Sequence, residues 1–289
     1  MILLGTNIKT SELAIALGLR HVGPDLYIRS ISPISTAKEF SLSFSNAALE
    51  EEFLYQATVI APSEENKNGA AIILSPRPRL DFARALSWIV ERGGIPSPTA
   101  PPLVHPTATL GHGVRLGNGV MIGARTVIHH NVVIADNVVI GEDCCIKSNT
   151  VIGEAGFGFE RDENLFPLRL PHLGRVVIGS NVEIGSLNTV CRGTLSDTVI
   201  EDYVKTDDHV HIAHNCLIKK GSIITACSEL SGGVTVGEFC WIGPNASVLQ
   251  KIYIGDGASV GIAANVTKDV APHVLVAGNP AKFLKKLSD

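Results

Sequence analysis

No apolar stretch in the 289-residue chain approaches the ~18 residues that a membrane-spanning helix requires, so a helical span is excluded. The opening Met1–Leu4 run is too short, and lacks the basic flank, to act as a secretion leader, so a cytoplasmic protein is expected. Charge is scarce as well. Only 18% of residues are Asp, Glu, Lys or Arg, and 24 basic against 28 acidic residues leave a net charge of −4. That near balance provides no basic footprint for nucleic acid. The 45% hydrophobic content excludes a disordered chain. None of the six cysteines (144, 145, 191, 216, 227 and 240) forms a C-x-x-C pair, which excludes a zinc knuckle or dithiol redox motif. Reduced, mostly buried thiols are expected, with no metal. Aromatic residues make up only 5%, against 28 glycines, so the core must be built from Val, Ile and Ala between many tight turns.

What is present is a period of six. An aliphatic residue recurs at Val104, Leu110, Leu116, Ile122, Ile128, Ile134, Ile140, Ile146 and Ile152. The series resumes at Ile178, Ile184 and Val190, slips by four, and runs from Ile200 to Val266. Thr206 is its one polar member. Four positions after each aliphatic residue stands a small or β-branched one, such as Ala108, Thr126, Val138, Cys144, Cys216 or Ala264. Six is neither the helical period nor the strand's two. It predicts a parallel β-helix of hexapeptide repeats, turning through Gly, Asn and Asp. Crossover rules alone would favour a right-handed coil.

Two interruptions fall at residues 152–178 and near Thr194–Asp197. Insertions in a solenoid can only loop outwards, and the first, rich in Gly, Phe, Arg and Pro, is expected to be an active-site loop. Residues 1–92 lack the period. They predict a small α/β domain with helices over Ser11–Leu19, capped at Thr10 or Ser11, and Leu80–Val90. Its strands are placed at Ile28–Ile31, Leu42–Phe44, Ala57–Ile60 and Ala70–Leu74. A Pro-rich linker follows over 93–103, then the solenoid over 104–271, and a tail over 272–289 whose Ala281–Leu287 segment is expected to form a short capping helix.

Four segments extend the reading: GEAGFGFERD, LGRVVIGSNVEIGSLNTVCRGTLSDTVI, the HIAHN of His211–Asn215, and ISPISTAKEFSLSFSN. Together they resemble the UDP-3-O-acylglucosamine N-acyltransferases of lipid A biosynthesis, almost end to end. The resemblance implies a left-handed β-helix, a homotrimer with sites between neighbouring solenoids, and an N-terminal domain that holds a nucleotide. It implies acyl transfer from a thioester to a sugar amine. Departures from the family pattern are also visible. Phe44 and Asn46 remain of the uridine pocket, without the following Pro-Lys-Tyr; Cys191 replaces an Asp; Lys251 stands where a second His is usual.

Acyl transfer needs a base, an oxyanion donor and alignment of the substrates, but no covalent nucleophile, because a thioester is already activated. By resemblance His214 is the base. Gly232, eighteen residues on and one coil higher, offers an N–H for the oxyanion. Asp207 orients His214 or binds sugar, with Asp208, His211, His172 and Phe157 as further acceptor contacts and Phe44 and Asn46 as the nucleotide contacts. The His209–His214 cluster lacks the further partners of a metal site. Lys251, Gly278 and Lys282 are expected on the donor side. The ending AGNPAKFLKKLSD resembles acetyl-CoA-dependent acetyltransferases, so the expected donor is a short acyl-CoA and the acceptor a nucleotide-linked amino sugar of surface glycan synthesis. Lipid A synthesis with an acyl carrier protein thioester is the alternative. A γ-carbonic anhydrase, a binding scaffold and a uridylyltransferase fusion share the period; the last would need a Gly-rich nucleotide loop that residues 1–92 lack.

Overall fold

In the computed structural model, which describes residues 1–47, 56–64 and 69–287, the chain forms two compact units. The first holds Met1–Ser97 together with Gly158–Leu173 and Thr194–Ser196. Among the described residues its main sheet has six strands, β1 (Ile2–Lys9), β2 (His21–Val22), β3 (Tyr27–Ile31), β4 (Ser41–Phe44), β5 (Thr58–Ala61) and β6 (Ala71–Leu74), in the spatial order β1-β3-β4-β5-β6-β2. Strands β3 to β6 run parallel, and β1 and β2 close the edges antiparallel. Helix α2 (Pro78–Glu91) starts with proline at its first position, where the missing N–H costs nothing. It buries Phe82, Leu86 and Ile89, spaced four and three apart, in one cluster with Ile28, Ile31, Leu42, Ile60 and Ile73. Strand β1 has no sequence signal of its own, since its residues alternate poorly. Helix α1 (Thr10–Ala16) is shorter than expected and is capped from outside: Asp25 Oδ1 accepts the Ser11 N–H at 2.9 Å.

The excursion over 158–173 belongs to this unit. Phe159–Arg161 and Pro167–Arg169 pair as an antiparallel hairpin. Leu170, Leu173 and, from the second interruption, Leu195 join the α2 cluster. Their burial, worth ~1.5–3 kcal/mol for each fully buried side chain, anchors these loops. The Arg79–Glu160 pair (2.8 Å) is half exposed and contributes little.

The second unit, Pro98–Phe157, Gly174–Gly193 and the chain from Asp197 onward, is the solenoid. Two-residue strands stack in register into three parallel faces. Face 1 starts at Leu103–Val104, face 2 at Thr109–Leu110 and face 3 at Arg115–Leu116, with eight, nine and eight parallel strands among the described residues and one antiparallel strand added at the end of face 2. The second residue of nearly every strand is the aliphatic member of the period and is fully buried. The small residue four places later reaches the turn of the next coil. Thr126 Oγ1, Ser222 Oγ and Cys240 Sγ donate to the carbonyls of Gly141, Gly237 and Gly255. Many turns also place a carboxylate above a free N–H of the coil below, as Asp136 does for Asn118 and Asp202 for Ser180. Asn131, Asn137, Asn181, Asn215 and Asn245 take the left-handed φ these corners need.

The tail corrects the sequence expectation. No helix forms over 281–287; Lys282–Lys286 is a strand, antiparallel to Val274–Ala277 on face 2. The turn at Gly278, with φ of +98°, sends the chain back along the last strand. Pairing there satisfies edge N–H and C=O groups, whereas an isolated helix of seven residues is marginal in water.

Candidate functional site

Both interruptions leave the coil at the corner between face 3 and face 1. The first departs after Val151–Ala155 of face 3 and the second after Thr189–Arg192. One coil above Arg192 this corner carries His214 and then Gly232, with Lys251 a further coil up and one position along, above Gly233. His214 follows the face 3 strand His211–Ile212, and Gly232 follows Glu229–Leu230. The backbone ties these coils together: Gly233 N–H donates to His214 O (2.8 Å) and Lys251 N–H to Gly232 O (3.0 Å).

Elsewhere in the solenoid a side chain at the Gly232 position would cap the coil below. Gly232 has none, and the half-buried His214 imidazole fills the space: a Cβ on Gly232 would lie 2.6 Å from both Cε1 and Nε2. His214 Nδ1 lies 3.0 Å from Asn215 Oδ1, an acceptor, which assigns the proton to Nδ1 and leaves Nε2 basic. Among the described residues the Gly232 N–H has no hydrogen-bond partner.

Face 3 below this corner carries a polar row. Thr189, His211 and Glu229 are successive register partners. His211 Nδ1 meets Thr189 Oγ1 at 2.6 Å, and Ser231 Oγ donates to Glu229 Oε1 at 2.9 Å. Burial pushes the His211 pKa down, against the opposing pull of Glu229, and the neighbouring His214 lowers it further. Asp207 and Asp208 stand at the other end of face 3, at its corner with face 2. Asp208 Oδ1 accepts the Ser186 N–H (2.6 Å), and Asp207 Oδ1 accepts the Asp208 N–H (2.8 Å). No hydrogen bond between Asp207 and His214 is described. Beneath that corner Asn188, 1% exposed, donates to Asp207 O and Ser186 O and accepts from Thr206 Oγ1.

The other expected residues belong to other elements. Phe44, Asn46 and His172 belong to the first unit. The Phe44 ring packs on Phe82, with centroids 4.8 Å apart, and Asn46 is exposed. His172 is buried, with Nδ1 3.0 Å from Leu170 O and its ring against Gly158. Phe157 is 88% exposed at the start of the excursion. Gly278 and Lys282 flank the turn into the last strand of face 2, both exposed. The structure therefore brings together His214, Gly232 and Lys251, with His211 beside them. It adds Glu229, Thr189 and Ser231, which the six-residue pattern passes over because it registers only inward positions. Asn188 could have been sought from the polar Thr206 in the aliphatic series. Burial raises the thiol pKa values of Cys144, Cys191 and Cys240, and that of Cys216 to about 12, so these four stay protonated near neutral pH. Among the described residues no three His, Cys, Asp or Glu side chains group as metal ligands, and no helix is long and apolar enough to cross a membrane.

Residues 121–154 match the family described as bacterial transferase hexapeptide (six repeats). The chain is 37% identical over 281 residues to the UDP-3-O-acylglucosamine N-acyltransferase of Delftia acidovorans, covering 91% of this chain and 84% of that one. Against the enzyme of the same name from Janthinobacterium it is 36% identical over 125 residues, 43% of this chain and 35% of the other. Among solved structures, the UDP-N-acetylglucosamine acyltransferase of Francisella novicida superposes with a TM-score of 0.55 at 26% identity, covering 64% and 69% of the two chains. That of Moraxella catarrhalis gives 0.54 at 26%, covering 64% and 73%. The solenoid is a left-handed parallel β-helix of that type.

Proposed function

The chain belongs to the UDP-3-O-acylglucosamine N-acyltransferase family and is an acyltransferase, and from that premise we propose that it acylates the glucosamine amine of a UDP-3-O-acylglucosamine in lipid A biosynthesis. The donor in this reading is a 3-hydroxyacyl thioester of acyl carrier protein. The near full-length likeness to the Delftia enzyme supports it over transfer from acetyl-CoA to a glycan precursor. The observation that carries the chemistry is the His214 imidazole lying under the unsubstituted Gly232 backbone.

The amine nitrogen attacks the thioester carbonyl carbon. His214 Nε2 accepts the amine proton, because Nδ1–H is directed to Asn215 Oδ1. The tetrahedral oxyanion is met by the Gly232 N–H. Collapse forms the amide, breaks the C–S bond and releases the thiolate, which takes up a proton. Lys251, one coil above Gly233, supplies positive charge on the donor side.

The second part of the reading is a homotrimer. The outward residues of face 1 stack as an apolar column, Leu103, Met121, Val139, Val177, Val199 and Leu217, and Leu103 and Met121 are 65% and 47% exposed. An apolar stripe of this length is suited to burial against another copy.

The deciding experiment offers UDP-3-O-acylglucosamine with either 3-hydroxyacyl carrier protein or acetyl-CoA, to wild type and to His214→Ala. Turnover with the carrier thioester, cut by ~10²–10⁴ in His214→Ala, is expected. Turnover with acetyl-CoA alone would return the enzyme to glycan synthesis, and an active His214→Ala would move the base elsewhere.

A further inference from the structure

Glu229 sits on face 3 directly above His211 in the strand ladder, and its carboxylate is half-buried. Among the described residues no Lys, Arg or His forms an ion pair with it, although the exposed carboxylates Asp143 and Glu142 and the half-buried Asp197 all have arginine partners. It accepts a hydrogen bond from Ser231, the residue immediately before Gly232. His211 does not cancel the negative charge, since its own burial favours the neutral imidazole near pH 7. A carboxylate without a protein cation presents uncompensated negative charge beside the corner. A ligand cation would complement that charge, and the only cationic centre in an amino sugar is its amine, an ammonium in water before reaction.

We propose that Glu229 is the acceptor-recognition residue, taking the substrate's amine as the ammonium beside the His214–Gly232 corner. This rests on the reading that the acceptor is an amine. The ammonium loses one proton to become nucleophilic and a second on amide formation, so that ammonium plus thioester gives amide, thiol and one released proton. A sugar with hydroxyl in place of the amine brings no charge and leaves Glu229 unpaired, which makes this carboxylate a source of selectivity for N-acylation over O-acylation.

Calorimetric binding without any acyl donor tests this apart from catalysis. The probes are UDP-glucosamine and UDP-N-acetylglucosamine, which differ only in the charge and acylation of the amine. Wild type should bind the free amine about tenfold more tightly, in line with a charge-assisted hydrogen bond in a partly exposed setting. Glu229→Gln, which can still accept from Ser231, should equalise the two, while Glu229→Asp keeps the preference. An equal affinity in wild type, or a preference that survives Glu229→Gln, would overturn the proposal. Because no turnover is involved, an active His214→Ala would sink the base assignment and leave this result standing.

Discussion

The imidazole of His214 occupies the space that a side chain at Gly232 would fill. Gly232 has no left-handed φ, so its backbone would accept alanine without strain, and the clash would be with the ring alone. Gly232→Ala should therefore leave folding near wild type while displacing His214 and weakening the oxyanion contact. Turnover should fall by ~10²–10³, as for loss of an oxyanion donor. Combined with His214→Ala the losses should not add, since both act on one arrangement. Steady-state kinetics on the four proteins of this cycle check it, and full additivity would separate the two residues.

The Asn188–Thr206 pair predicts a stability pattern. Thr206→Val keeps the shape but leaves the Gly185 N–H and Asn188 Oδ1 without the hydroxyl. The cost should be ~1–3 kcal/mol, the desolvation of buried groups left unpaired. Asn188→Leu takes the donor from Ser186 O and Asp207 O, so the double variant should be weaker than either single but by less than the sum, because the Thr206–Asn188 bond can be lost only once. Denaturant midpoints measure both, and a double variant weaker than the sum of the singles would contradict it.

His211 gives a pH dependence whose sign follows from its depressed pKa. Between that lowered value and the ordinary value of about 6.5, the unfolded chain binds more protons than the folded one. Its contribution is thus complete above about 6.5 and is lost as pH falls through that window. His211→Gln should flatten the unfolding midpoint against pH there. An unchanged slope would mean that other groups dominate.

Face 1 predicts the assembly. Met121→Glu sets a carboxylate within the apolar column, between Leu103 and Val139. Light scattering should show wild type at three times 30.6 kDa and the variant at one. A wild-type monomer at micromolar concentration would refute the trimer.

The six-residue period determined the solenoid unaided, because each coil repeats one demand: an aliphatic residue inside, a small hydrogen-bonding residue beside the turn, and a residue that tolerates left-handed backbone at the corner. Such local requirements are written in consecutive residues. The first unit's β3 to β6 and α2 were legible on the same grounds. The Ala281–Leu287 tail was not, since whether KFLKK extends or coils depends on the unpaired edge of Val274–Ala277, a strand that exists only once the last coil has formed. Family likeness pointed to His214, and the 18-residue coil already set Gly232 above it. Residues 18 and 22 positions apart become neighbours when coils lie one strand spacing apart, and only that stacking brought Thr189 and Glu229 to either side of His211. Outward positions carry no period, because solvent places few demands on them. The polar row of Thr189, His211 and Glu229 therefore became visible only in three dimensions, where the ladder sets their outward side chains in one line.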